Sequence, residues 1–198
     1  MLYIFDEVDK LDDLPMERLS DERRDKALRY RFTLSRKLSV GVYLLLCLAL
    51  KEEYGIEEAV LFSYNENGKP FLKDYPHIHF NLSHCKKALA CAVSDSEVGV
   101  DVQDIRPVSE KVAKRVLTEN EYTGYKAAQS PDEYFCEIWA VKESFLKRTG
   151  QGIREDLRKI SAESITKKTV YSGDGYFCCV TGSEVQMKRV RREDIGYR

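Results

Sequence analysis

Three short stretches carry side chains that could do chemistry. In Val98-Gly-Val-Asp-Val-Gln103, strand alternation puts Gly99, Asp101 and Gln103 on one face and Val98, Val100 and Val102 on the other. Two oxygen donors beside a residue with no side chain suit a hard cation such as Mg²⁺, which shares its oxygen ligands with substrate phosphates. An Asp on the solvent face of a strand would leave the same pattern with no ligand. Four residues separate Glu143 from Lys147, so on a helix they share a side, with the small residues Cys136, Ala140 and Ser144 beside them. That spacing also describes a surface ion pair worth ~0.3–0.5 kcal/mol. Small neighbours predict a groove instead, where the carboxylate could act as metal ligand or base and the ammonium as phosphate clamp. The third stretch is Phe80-Asn-Leu-Ser-His84. With Phe80 and Leu82 turned to the core, Asn81 and Ser83 face away, toward a ligand or the next turn. His77, His79, His84 and Cys85 fit no standard structural zinc spacing.

The elements that must hold these residues follow from pattern and punctuation. Ser20, followed by Asp21 and Glu22, predicts a capped helix running toward Phe32. A second helix is predicted over 35–53, stopping near Gly55, and Asn65-Glu-Asn-Gly-Lys-Pro70 is turn chemistry. Strands are expected over 78–83, 88–94 and 97–105. Ser109 opens a short helix, and Thr118-Glu-Asn-Glu121 has the form of a capping box. A long helix from Pro131 to Arg148 places Pro in its first turn and Gly150 and Gly152 past its end. Beyond it, strands are predicted over 160–165, 169–172, 176–181 and 184–190. Helices, strands, helices, strands is the order of an α+β fold, and a pattern of about 100 residues occurs twice.

The chain has 198 residues, 43% of them hydrophobic, and a net charge of −1. That length makes one domain or two fused halves, divided here as 1–98 and 99–198. No global positive field favours nucleic acid or an anionic membrane, so any anionic ligand must be gripped locally. The longest apolar run, Val40 to Leu50, is short of the roughly 20 residues a span needs and is predicted to be a core helix. The start, Met1 to Lys10, lacks the basic and apolar regions of a secretory signal. Six cysteines without a Cys-x-x-Cys pair read as reduced thiols, which predicts a cytoplasmic protein.

Together, Phe80-Asn-Leu-Ser-His84, Val98-Gly-Val-Asp-Val-Gln103 and Trp139-Ala-Val-Lys-Glu-Ser-Phe-Leu-Lys147, preceded by Asn67-Gly-Lys-Pro70, resemble in order and spacing the signature of the 4′-phosphopantetheinyl transferases of the surfactin (Sfp) type. The similarity covers residues 20–152; the last ~45 match only in predicted strand content. The resemblance implies two similar α/β subdomains related by a pseudo-two-fold, with coenzyme A in the cleft between them. It also implies a monomer that supplies that cleft internally. The implied reaction moves phosphopantetheine from coenzyme A to a serine of an acyl, peptidyl or aryl carrier protein and releases adenosine 3′,5′-bisphosphate.

The resemblance further implies Asp101, Glu143 and Gln103 as Mg²⁺ ligands, Glu143 as base toward the incoming serine, and Lys147 as stabiliser of phosphate and leaving group. Lys142 would assist on the phosphate side, and His84 with neighbouring Ser83 would contact a coenzyme A phosphate. Lys69, Gly68 and Pro70 would line the adenosine end, with Arg23, Lys26 and Arg36 at the 3′-phosphate. Many relatives carry a second acid where this chain has Gln103, which predicts weaker Mg²⁺ binding or a Mn²⁺ preference. The carrier-facing surface is sought around Val108 to Leu117. A relative that binds coenzyme A without catalysis, or another Mg²⁺-dependent phosphate enzyme, would be the rival readings.

Overall fold

A computed structural model describes residues 1–150 and 156–195. Gly152, expected just past the long helix, lies outside the described residues. Strand β1 (Leu2–Phe5) is followed by helices α1 (Asp21–Leu28) and α2 (Thr33–Tyr54), the hairpin β2 (Phe62–Tyr64) and β3 (Pro70–Leu72), and strands β4 (His79–His84) and β5 (Leu89–Ser94). Next come β6 (Gly99–Asp104), helices α3 (Glu110–Val116), α4 (Glu119–Ala127) and α5 (Pro131–Thr149), then β7 (Lys168–Gly173), β8 (Tyr176–Thr181) and β9 (Met187–Arg189). One sheet has the order β4-β5-β1-β9 and another β6-β8-β7. A first strand, helices and an antiparallel hairpin whose second strand pairs with the first thus occur twice, β4-β5-β1 answering β7-β8-β6.

Side-chain alternation sorts the core into three layers. Tyr3, Phe5, Phe80, Leu89, Cys91 and Val93 face α2, where Leu45, Leu46 and Leu50 are fully buried. The opposite faces, with Leu2, Ile4 and Ala88, Ala90 and Ala92, meet Val98, Val100, Val102, Cys178 and Val180 of the second sheet. Alanines at three successive inward positions let the sheets approach closely. Helix α5 covers the outer face of the second sheet, and α3 and α4 join the same core. The apolar run of α2 is therefore a core helix, ended by Gly55 at φ +69° with its N–H on Leu50 and Lys51 carbonyls.

Several expectations change. All of β1 is buried, so it shows no alternation to read. The 65–70 turn joins two strands: Asn65 Oδ1 accepts from Asn67 N and Lys69 N, and Gly68 takes φ +81°. Ser20 occupies the N-cap position of α1 without a side-chain cap bond, whereas Thr118 and Glu121 form the full capping box of α4. No strand forms over 160–165. The backbone there serves side chains instead: Leu157 O accepts from Lys142 Nζ, and Ala162 N donates to Glu121 Oε1. Of 184–190 only Met187–Arg189 is strand, and it lies parallel to β1. Thus the chain beyond β8 crosses the boundary at residue 98, and Val190 and Ile195 join the first core.

Candidate active site

The second sheet and α5 meet through small residues. A Cβ built on Gly99 would lie 2.0 Å from Ser144 O and 2.6 Å from Arg148 N. The missing side chain thus admits the helix backbone itself. Ala140 and Ser144 are fully buried and Cys136 nearly so. The small-residue side of α5 is a helix-to-strand contact rather than the open groove its composition suggested. This close approach delivers Glu143 and Lys147 to Asp101 on the neighbouring strand.

Around Asp101 the bonds are specific. Its Oδ1 accepts from Lys147 Nζ at 2.5 Å and from Ser83 Oγ at 2.9 Å. Lys147 Nζ also donates to Ser83 Oγ at 2.9 Å. Lys147 therefore pairs with Asp101 across elements. Asp101 Oδ2 and Glu143 Oε1 are both buried without a hydrogen-bond partner among the described residues. Burial pushes the Asp101 carboxyl above its ordinary value, against the pull of Lys147. Burial, then the charge of Asp101, does the same to Glu143. His84, exposed at the end of β4, has its imidazole held below its usual value by desolvation and then by Lys147.

Two buried carboxylate oxygens without partners among the described residues, next to a lysine, fit a small hard divalent cation. Among the described residues no group of three or more His, Cys, Asp or Glu side chains is placed to hold a metal. Any further ligand must then come from Gln103, half-buried on the same strand face as Asp101, from water, or from a substrate oxygen.

A family model described as the 4′-phosphopantetheinyl transferase superfamily matches residues 97–192, the half that supplies Asp101, Glu143 and Lys147. The chain is 32% identical over 76% of its length to a 4′-phosphopantetheinyl transferase of Bacillus subtilis, covering 68% of that protein. This chain belongs to the 4′-phosphopantetheinyl transferase superfamily. Among other superfamily members it is 33% identical to psf-1 of Bacillus pumilus, over 73% of this chain and 63% of that protein. With Sfp of Bacillus subtilis strain 168 it shares 30% over 74% of this chain and 66% of that protein. The chain therefore spans about two thirds of the length of these transferases.

Not every residue expected of a family member reaches the site. Lys142 is fully buried on another side of α5, where Nζ donates to Glu121 Oε2 (2.6 Å), Val116 O (2.7 Å) and Leu157 O (3.0 Å). It has no free donor for a phosphate, and successive helix residues point about 100° apart, which turns it from Glu143. Arg23 is also buried, its guanidinium 5.1 Å from the Tyr43 ring centroid and 5.5 Å from that of Phe62, with one bond to Ser39 O. Its charge still reaches His84. Arg36 donates to Tyr30 O in the α1–α2 connection, and Lys26 is exposed on α1. Lys69 Nζ donates to Arg148 O at 2.6 Å, so the loop of Gly68 and Pro70 reaches the end of α5. Glu121, read from sequence only as a capping residue, escaped notice as the partner of Lys142. Their side chains meet across 21 residues, and the capping motif gave no sign of it.

Proposed function

We propose that this chain transfers 4′-phosphopantetheine from coenzyme A to a serine hydroxyl of a carrier domain, with Mg²⁺ bound by Asp101, Glu143 and Gln103. The observation that carries this reading is the pair of unpartnered buried oxygens, Asp101 Oδ2 and Glu143 Oε1, beside the Lys147 ammonium. A divalent cation held there would place positive charge on the pyrophosphate and its leaving group. Glu143 accepts the serine proton, directly or through a water. The serine oxygen forms a bond to the pantetheine-side phosphorus, and that phosphorus loses its bridging oxygen to adenosine 3′,5′-bisphosphate. Lys147 steadies the negative charge on the departing oxygen. His84, which feels the charge of Lys147, and Lys69, bonded to Arg148 O, contact coenzyme A phosphates and its adenosine end.

The carrier domain, in this reading, docks on a groove of about 400 Å³ beside Gln103, lined by Pro107, Val108, Val112, Phe135 and Trp139. Exposed Lys111 and Arg115 on α3 complement an acidic carrier helix. The chain acts as a monomer in the cytoplasm, a reducing compartment that suits its six free thiols. Incubation with coenzyme A, Mg²⁺ and an apo carrier domain should add one phosphopantetheine to the carrier, read by mass spectrometry. An unmodified carrier across acyl, peptidyl and aryl types would sink the proposal.

A further inference from the structure

The edge of β6 that faces β4 is closed by side chains instead of backbone rungs. Val100 N donates to Asn81 Oδ1 at 3.0 Å, and Val102 N donates to Ser83 Oγ at 3.1 Å. Asn81 and Ser83 therefore stitch the two sheets together along one seam. They differ in what else they touch. A serine hydroxyl has one proton to give and two lone pairs to receive with. In Ser83 the proton goes to Asp101 Oδ1, and the lone pairs take Val102 N–H and Lys147 Nζ. Nothing is left over for a phosphate oxygen, and the residue is 7% exposed. The family resemblance places this serine beside the coenzyme A phosphate; its bonds point elsewhere.

We propose that Ser83 is a positioning residue: its hydroxyl, fixed in the seam by Val102 and Lys147, saturates Asp101 Oδ1 and so leaves Oδ2 as the oxygen offered to a divalent cation. Without it, the carboxylate can rotate and share both oxygens with Lys147, which competes with a metal. Partners that orient a ligating carboxylate typically change metal affinity 10–100-fold when removed. This inference rests on the metal reading of the site proposed above.

Asn81 provides the control, because it closes the same seam without touching a carboxylate. Mn²⁺ binding to the purified protein, followed by electron paramagnetic resonance with no carrier present, gives a readout independent of turnover. Ser83→Ala should weaken Mn²⁺ about tenfold or more, and Ser83→Cys, which keeps the volume but donates weakly, should act in the same direction should the alanine variant fold poorly. Ser83→Thr, which keeps the hydroxyl, should restore binding. Asn81→Ala should lower the melting temperature as Ser83→Ala does and leave Mn²⁺ affinity within twofold of wild type. Coenzyme A binding without metal should be alike in wild type and Ser83→Ala. The inference is overturned if Ser83→Ala and Ser83→Cys bind Mn²⁺ like wild type, or if Asn81→Ala loses as much affinity as they do. A Ser83→Ala loss confined to metal-free coenzyme A binding would return Ser83 to the phosphate. Wild-type protein that binds no Mn²⁺, even with coenzyme A, would overturn the metal reading and this inference with it.

Discussion

Helix α2 packs on the first sheet as α5 packs on the second, and the two helices carry opposite loads. The buried residues of α2 are aliphatic, aromatic or small from Leu38 to Leu50. Those of α5 include Lys142, Glu143 and Ser144 in succession. A buried charge is costly unless it is paired, and α5 meets that cost in two ways. Lys142 is given three acceptors, one of them a carboxylate. Glu143 is left with an oxygen that nothing among the described residues satisfies. The repeat thus sets an ordinary core in one half against buried charges in the other.

The largest effect that tests this contrast is on catalysis. Asp101→Ala and Glu143→Ala should each lower carrier modification by on the order of 10³-fold or more, measured by mass spectrometry, while both proteins keep a cooperative melt. Retained activity in either would break the assignment of chemistry to the second half. Next comes Lys142→Met, which strips Glu121 of its buried partner and should cost about 3–5 kcal/mol in denaturant unfolding. Metal-free coenzyme A affinity should not change; a selective loss of it would restore Lys142 to the phosphate.

A smaller difference separates two glycines, one on the strand side of a helix-to-sheet contact and one on the helix side. Gly99→Ala drives a Cβ into helix backbone and should cost about 3 kcal/mol, roughly 6–12 °C in Tm. In α2, a Cβ at Gly41 meets Leu89 Cδ1 at 2.8 Å and Leu11 methyls at 3.4 Å. These are side-chain tips that can turn aside, and Ala gains about 1 kcal/mol of helix propensity over Gly. Gly41→Ala should therefore stay within about 1 kcal/mol of wild type. Equal losses would mean that the two helix contacts are equally tight. Smallest is Gln103→Glu, which adds a formal charge to the site and should lower the Mg²⁺ concentration for half-activation several-fold. An unchanged Mg²⁺ requirement would show that Gln103 stands apart from the metal.

The site was more legible in the sequence than the scaffold's ends. The alternation of Gly99, Asp101 and Gln103 and the helical spacing of Glu143 and Lys147 are local periodicities, and both hold. What local pattern conceals is partner choice. Lys142 and Lys147 point about 140° apart on the helix, but the wheel names the partner of neither: one is enclosed by α3, α4 and the 157–162 segment and the other reaches Asp101. Likewise, the small residues of α5 could border a groove or a tight contact, and only the bare Cα of Gly99 opposite decides for contact. Strand β1 escaped because it is buried throughout, and β9, expected over 184–190, is only three residues long because it is held by its pairing far across the chain.

That last pairing has a consequence for how the protein is made. Leu2 aligns with Met187, so the first sheet cannot be completed until the chain has left the ribosome as far as Arg189. Until then β1 presents one edge of unpaired N–H and C=O groups, the kind of edge that recruits stray strands. Contacts so distant in sequence form slowly. The nascent chain must therefore keep a half-finished sheet out of trouble during the synthesis of its own second half.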